Sequence, residues 1–185
     1  KANSAYIASQ IPLTMSLVGA IETAQTGNEN LDVLLSRLQS TSDGWYDEVH
    51  DKRTELGADY VALFTGTDPN WGGLAYIMSN VSSSFEAWAF STSVSIYVAG
   101  SDTFAHELGH NMGCAHDRDN SSSWGGAYPY SFGFRTPLPG QYRTIMAYAP
   151  GTTIPYFSNP NINYGGAAIG IADPSATSAD NSRGI

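Results

Sequence analysis

An eleven-residue segment, His106 to His116, constrains this chain more than any other part of its 185 residues. It reads His-Glu-Leu-Gly-His-Asn-Met-Gly-Cys-Ala-His and contains three of the four histidines. On a helix, side chains four residues apart share a face, so His106 and His110 can bind one metal ion. Glycine tolerates the left-handed backbone that ends a helix, so Gly113 allows the chain to turn and bring His116 to the same ion. The segment is therefore predicted to fold as a helix that ends in a sharp turn.

Three histidines with one open coordination position are typical of a catalytic zinc site, because structural zinc is usually held by four protein ligands. Zinc lowers the pKa of its bound water toward about 7 and polarises a carbonyl. Glu107, beside the first histidine, is then expected to take the water proton and pass it to the leaving amine without binding the metal. Cys114 offers a thiolate ligand, but a buried packing role suits a lone cysteine better here. The segment predicts one catalytic Zn²⁺ as the cofactor.

The composition places this segment in one small domain and argues against several partners. With 42% hydrophobic residues, the chain is long enough for one core and too short for two. The net charge of −9 and the absence of a basic run argue against nucleic acid and anionic membrane surfaces. No apolar run reaches membrane-spanning length. The composition is consistent with a secreted protein, and because the N-terminus lacks the layout of a signal peptide, secretion would imply that the targeting segment has been removed. A monomer is expected.

Hydrophobic patterning before the zinc segment predicts strands and helices, whereas the chain after it is irregular. The predicted elements are a strand at Ile11–Ile21, helices at Glu29–Ser40 and Gly44–Leu56, strands at Asp59–Thr65, Gly73–Met78 and Phe85–Val94, and the zinc helix from about Ser101 to Gly113. Beyond His116, turn-forming and aromatic residues dominate, with no helix before about Ala179. The expected fold is α+β, with a mixed twisted sheet and helices above a zinc cleft. Its upper lobe would cover about residues 1–113 and its irregular lower lobe about residues 114–185.

Two motifs give the chain a resemblance to the metzincin zinc endopeptidases. The segment His106 to His116 followed by Asp117 resembles their long zinc motif, and Thr144-Ile145-Met146-Ala147-Tyr148 resembles their Met-turn. Three features are similar to the reprolysin or adamalysin branch: Asn111, Asp117 and Gly73-Leu74-Ala75-Tyr76. Two stretches resemble bacterial reprolysin-like enzymes, especially peptidyl-Asp metalloendopeptidases: Tyr156-Phe157-Ser158-Asn159-Pro160 and Arg143 to Met146. Relatives open with a strand and close with a further helix, so the resemblance implies either a domain truncated at both ends or a shorter branch.

The resemblance also implies roles for residues outside the zinc segment. Met146 would form an apolar floor under the zinc, and Tyr148 would either hydrogen-bond the oxyanion or simply pack beneath the helix. The residues Gly73, Leu74, Ala75 and Tyr76 would form an edge strand to which an extended peptide adds through main-chain hydrogen bonds. A substrate Asp or Glu would be bound by an arginine, in the order Arg143, Arg135, Arg118, unless these arginines pair with acids of the chain itself.

The predicted function is zinc-dependent hydrolysis of peptide bonds in extended polypeptides, with a preference for acidic residues after the scissile bond as a further hypothesis. A protease without that preference and a zinc-dependent peptide-binding module with little or no turnover are the alternatives. Asp117 is expected either to accept backbone N–H groups or to orient a zinc-binding histidine. Calcium is a second candidate cofactor, at Asp68-Pro69-Asn70 or at Asp117 to Asn120, because clustered oxygen donors suit it.

Overall fold

The computed structural model describes residues 1–23, 29–121, 125–136 and 141–185, and these residues form the predicted α+β fold. They divide into two compact units. The sheet unit comprises Ser16–Tyr76 and Ser82–Asn111, and the loop unit comprises Lys1–Met15, Ile77–Val81 and Met112–Ile185. The predicted lobe boundary near residue 113 remains a prediction. Within the described ranges, none of the helices has both the length and the apolar character needed to cross a bilayer.

Most of the described helices lie before or within the zinc segment, and most of the elements after it are short strands. The helices are α1 (Ala2–Ala8), α2 (Leu31–Gln39), α3 (Glu48–Leu56), α4 (Ser95–Gly100), α5 (Thr103–Asn111) and α6 (Asn181–Gly184), with a 3₁₀ helix at Ser83–Trp88. The strands are β1 (Val61–Thr65), β2 (Gly73–Ala75), β3 (Phe90–Val94), β4 (Ala115–Asp117), β5 (Phe132–Gly133), β6 (Tyr142–Arg143), β7 (Thr152–Thr153), β8 (Asn159–Tyr164) and β9 (Ala167–Ile169).

A three-stranded sheet, in the order β1-β3-β2, organises the sheet unit. Strand β1 runs parallel to β3, whereas β2 runs antiparallel to β3 with Gly73 opposite Ser93. Helices α2 and α5 pack against β3. The core holds the apolar face of α2, tyrosine 46 and two residues of β3: Leu31, Leu34, Leu35, Leu38, Tyr46, Phe90 and Val94. The helical spacing of the apolar residues within Glu29–Ser40 predicts one buried stripe: Leu31, Val33, Leu34, Leu35 and Leu38. The structure confirms it, except that Val33 is 38% exposed.

Three two-stranded sheets, β4-β5, β6-β7 and β8-β9, make up most of the regular structure of the loop unit. Helix α1 is attached to this unit by the ring of Tyr6, which stacks on Phe157 with 5.5 Å between centroids. The hydroxyl of Ser9 accepts the N–H of Phe157 at 2.8 Å, and the amide of Asn159 donates to the carbonyl of Ser9 at 2.9 Å. Short elements in this unit are thus joined by side-chain hydrogen bonds as well as by sheets.

The strand predicted at Ile11–Ile21 is wrong, because these residues form no strand in the structure. The side-chain amide of Asn3 bonds both the N–H and the carbonyl of Met15, at 2.8 and 2.9 Å, so it occupies backbone groups that a ladder would need. Two other predicted elements begin later than expected, and one helix was not predicted. The second helix begins at Glu48, the third strand begins at Phe90 after the 3₁₀ helix, and α4 was not predicted at all.

Candidate metal centre

Helix α5 covers Thr103–Asn111, which lies within the predicted range of about Ser101 to Gly113. The hydroxyl of Ser101 accepts the N–H of Thr103 at 3.3 Å, which satisfies one free amide of the first turn. Beyond the helix, Gly113 has a φ of +87°, as predicted for the turn toward His116. A Cβ at this position would also lie 2.5 Å from the Cβ of Ala127. Glycine is therefore required both by the backbone conformation and by the close packing around it.

The three histidines of the motif come together as predicted. One ligand nitrogen from each of His106, His110 and His116 lies within 4.8 Å of the others. The Nε2 atoms of His106 and His110 are 3.1 Å apart. Nitrogens bound to a tetrahedral zinc ion at 2.0–2.1 Å are about 3.3 Å apart. The His106–His110 pair already has this spacing, and His116 supplies a third nitrogen close by, so the donor set fits one zinc ion.

Burial shifts the pKa values of two residues in the zinc motif, Glu107 and His116, in opposite directions. Glu107 is 4% exposed, and its burial raises the pKa of the carboxyl to about 8. A divalent cation close by would favour the ionised form and oppose this shift. Burial lowers the pKa of His116, although the charge of Asp117 and a backbone hydrogen bond with Asn120 oppose that effect. A lowered pKa keeps the imidazole neutral, which is the form that binds metal.

Asp117 joins the segment after the third histidine to the Met-turn. Its carboxylate, only 3% exposed, accepts the backbone N–H of Tyr148 at 2.8 Å and the side-chain amide of Asn120 at 2.9 Å. It also pairs with the guanidinium of Arg135 at 3.0 Å. Its position thus agrees with the expected acceptor role.

The Met-turn is buried and closely packed. Met146 is fully buried, and a Cβ on Gly133 of β5 would lie 2.6 to 2.8 Å from the backbone of Met146 and Ala147. The ring of Tyr148 lies against His116, with 4.1 Å between centroids and 36° between planes. The contact of Tyr148 with an oxyanion and the placement of Met146 under the metal stay predictions.

The three candidate arginines have different partners. Arg135 pairs with Asp117 and Asp119. Arg118 donates to the backbone carbonyls of Ser178 and Pro129. Arg143 donates to the carbonyls of Gly151 and Ala147, at 3.0 and 2.7 Å. Within the described ranges, no carboxylate forms an ion pair with Arg143.

Three residues of the predicted substrate strand, Gly73, Leu74 and Ala75, form β2 at an edge of the sheet, and Tyr76 follows it.

Asp68 was a candidate calcium ligand. In the structure its carboxylate accepts three backbone N–H groups at 2.7 to 2.8 Å.

Two residues near the site have structural roles that were not predicted: Asn111, noted only as a feature of the reprolysin branch, and Gly133. Asn111, 1% exposed, donates from its side-chain amide to the carbonyls of Tyr76 and Phe90, at 2.9 and 3.1 Å, and so ties α5 to the sheet. Gly133 makes room for the Met-turn. The position of Asn111 inside the zinc motif was the signal available in the sequence, whereas nothing in the local sequence distinguishes Gly133 from other loop glycines.

Comparison with known families identifies the family of this chain. A reprolysin-type model of metallo-peptidase family M12 matches residues 1–158. The chain belongs to metallo-peptidase family M12, which confirms the metzincin resemblance.

Bacterial relatives share the sequence over nearly its whole length. The chain is 36% identical over 190 residues to the peptidyl-Asp metalloendopeptidase of Stenotrophomonas maltophilia, covering 99% of this chain and 43% of that protein. It is 35% identical over 188 residues to the protein of the same name from Xanthomonas campestris pv. campestris, covering 99% and 42%. The chain thus spans less than half the length of these curated relatives. A solved chain titled "Structure of a chaperone-substrate complex" shares the fold, with a TM-score of 0.67 at 22% identity over 99% of this chain and 30% of that one.

Proposed function

We propose that this chain is the catalytic domain of a zinc-dependent endopeptidase that hydrolyses peptide bonds in extended polypeptides. The observation that carries the proposal is the convergence of three histidine nitrogens within 4.8 Å, with a buried carboxylate one residue after the first histidine. Relatives that align with 99% of this chain, at 36% and 35% identity, carry the name peptidyl-Asp metalloendopeptidase. When bound, zinc would supply Lewis-acid chemistry, which makes water more acidic and a peptide carbonyl more electrophilic.

Glu107 is the proton carrier of this reaction. Its carboxylate takes a proton from the attacking water and later gives that proton to the amine that leaves. Burial raises the pKa of the Glu107 carboxyl and a bound zinc ion would lower it, and a carboxyl group whose pKa lies near the working pH can both accept and donate a proton. Tyr148, beside His116, donates its hydroxyl hydrogen to the oxygen that becomes negative. Strand β2 receives the extended substrate along its edge through main-chain hydrogen bonds.

The base assignment is tested by Glu107→Gln, which preserves side-chain volume but cannot accept the proton. We expect one zinc ion per chain and a loss of about 10²-fold or more in kcat. Zinc content and kcat are measured on the same preparation. Unchanged turnover in this variant would contradict the assignment, and loss of zinc would require the Glu107→Asp variant to separate binding from chemistry.

A peptide-library digest with and without a chelator tests the activity itself. We expect cleavage that stops when zinc is removed and returns when zinc is added back. Peptide binding by the zinc-loaded protein without cleavage would favour the binding-module alternative and would contradict the endopeptidase proposal.

An acidic residue after the scissile bond is the preferred substrate feature, and Arg143 is the residue that binds it. Its charge is not paired with any carboxylate of the described residues, and a guanidinium can bind a carboxylate through two parallel hydrogen bonds. In the library digest, Arg143→Met is expected to lose the preference for Asp and Glu while it still cleaves. Arg183→Met removes one exposed positive charge elsewhere in the chain and is the matched control. An unchanged cleavage pattern in Arg143→Met would refute the arginine assignment.

The protein acts outside the cell as a monomer, without nucleic acid or membrane partners. The strong negative charge supports solubility and repels anionic polymers and lipid surfaces. Immunodetection in culture medium compared with cell fractions, together with light scattering of the purified protein, tests this proposal. Retention in the cell pellet or a stable dimer would contradict it.

A further inference from the structure

Gly73 in the edge strand β2 lies directly against the side chain of Glu107. A Cβ on Gly73 would lie 2.5 Å from Oε1 of Glu107 and 2.8 Å from both Cδ and Cγ. Carbon atoms in favourable contact are about 3.5–4.0 Å apart, so a methyl group here and Glu107 in its present position exclude each other. The contact involves the side chain along its length and not only its end.

The backbone conformation at Gly73 does not itself require glycine. Positive φ angles in the described chain occur at other glycines, among them Gly57 and Gly113, and not at Gly73. An alanine is therefore compatible with this backbone, and only the space occupied by Glu107 disfavours it. At Gly66 and Gly100, by contrast, an added Cβ meets nothing within 4 Å.

Hydrogen bonds hold strand β2 and helix α5 in place, so neither moves away easily from the contact between Gly73 and Glu107. The carbonyl of Gly72 accepts the N–H of Val94 at 2.8 Å, which fixes β2 beside β3. The amide of Asn111 on α5 donates to carbonyls on both sides of this pairing, those of Tyr76 and Phe90. A methyl group added to Gly73 would therefore displace the carboxylate of Glu107 and not the backbone.

We propose that Gly73 is a positioning residue for Glu107, because its missing side chain leaves the space that the Glu107 carboxylate occupies. The catalytic consequence rests on the proposed endopeptidase function, whereas the steric coupling between the two residues does not. A displacement of about 1 Å at a catalytic group is enough to reduce turnover by about 10²-fold.

The steric coupling is tested by thermal unfolding of four proteins: wild type, Gly73→Ala, Glu107→Ala and the double variant. We expect Gly73→Ala to lower Tm by about 3 °C or more when Glu107 is present. The same substitution should have little effect on Tm when Glu107 is already alanine, because the obstructed side chain is gone. Gly66→Ala, which enters open space, is the control for the general effect of alanine on Tm. Equal Tm changes in both backgrounds would overturn the proposal.

The catalytic consequence is tested by peptide hydrolysis with zinc-loaded protein. We expect Gly73→Ala to keep one zinc ion per chain, to keep KM within about threefold, and to lose about 10²-fold in kcat, while Gly66→Ala retains wild-type kcat. A change in KM alone would assign Gly73 to the substrate strand only and would overturn the positioning role. If the wild-type protein cleaves no peptide, the proposed function fails, and the Tm comparison still decides the coupling of Gly73 to Glu107.

Discussion

At the scale of single residues, Asp68 shows how one carboxylate can join a loop to a helix. It accepts the N–H groups of Asn70 and Trp71 within its own loop and that of Leu31, the first residue of α2. Asn30 stands at the N-cap of α2 but makes no side-chain capping bond, so Asp68 supplies the acceptor from a distant part of the sequence.

Asp68→Ala is expected to lower the free energy of unfolding by about 1 kcal/mol at pH 7, the usual value of a lost cap. Partial burial raises the pKa of Asp68, but its three backbone hydrogen bonds outweigh this and lower the pKa below the ordinary value. The folded state then binds the proton more weakly than the unfolded state, so the contribution is present above about pH 4 and is lost as the pH falls through the lowered pKa. Urea unfolding from pH 7 to pH 3 measures this, with Asp59→Ala as the exposed control. A difference from wild type that does not shrink in acid would contradict the role.

Arg135 and Arg143 have different partners, so their substitutions are expected to have different effects. Arg135→Met is expected to reduce stability, and Arg143→Met is expected to change substrate preference. Arg135 pairs with buried Asp117, so Arg135→Met leaves that carboxylate without its cation and is expected to lower the free energy of unfolding by about 2 kcal/mol or more. The cleavage pattern of the zinc-loaded variant should stay that of wild type. Denaturant unfolding and a peptide-library digest measure the two effects. A lost preference for acidic residues in Arg135→Met would make Arg135 a substrate ligand.

At the scale of elements, the Met-turn depends on a glycine in β5. A Cβ on Gly133 would lie 2.6 Å from the carbonyl carbon of Met146 and 2.8 Å from the N–H nitrogen of Ala147, and both are backbone atoms that cannot rotate away. Gly133→Ala is therefore expected to cost about 2 kcal/mol or more of unfolding free energy and to disturb the contact of Tyr148 with His116. Thermal unfolding measures the cost, and Gly66→Ala, at an open position without a positive φ, shows the effect of a substitution without a steric clash. A Tm equal to that of wild type in Gly133→Ala would refute the steric role.

The helices and strands that the sequence predicted correctly are those set by residues close together in the chain. The zinc helix follows from residues at helical spacing and from one glycine, and the stripe on α2 follows from four leucines that all lie in the core. The strand predicted at Ile11–Ile21 failed because a strand needs a partner, and there the side chain of Asn3 takes the backbone groups of Met15. Helix α4 has no buried residue and therefore shows no amphipathic pattern. The roles of Gly73 and Gly133 depend on neighbours distant in sequence, which periodicity does not reveal.

At the scale of the whole molecule, zinc is expected to stabilise the folded chain as well as to serve catalysis. The folded state brings three histidine nitrogens within 4.8 Å, an arrangement that the unfolded chain does not hold. A ligand that binds only the folded state adds about 4 kcal/mol when its free concentration is a thousand times its Kd. For a chain of this size, that gain corresponds to a rise in Tm of about 8–16 °C.

Thermal unfolding over a series of buffered free Zn²⁺ concentrations measures this linkage. Wild-type Tm should rise with free Zn²⁺ and fall to the metal-free value in excess chelator. His116→Ala removes one of the three ligands, so its Tm should become nearly independent of Zn²⁺ in the same range. His50→Ala is the matched control, because this fourth histidine lies on α3, bonded to the carbonyl of Ser40 at 2.7 Å, and contributes no ligand atom to the cluster. His50→Ala can lower Tm at every zinc concentration, but the slope of Tm against zinc should match that of wild type. Equal slopes in His116→Ala and wild type would mean that His116 does not bind the stabilising metal ion.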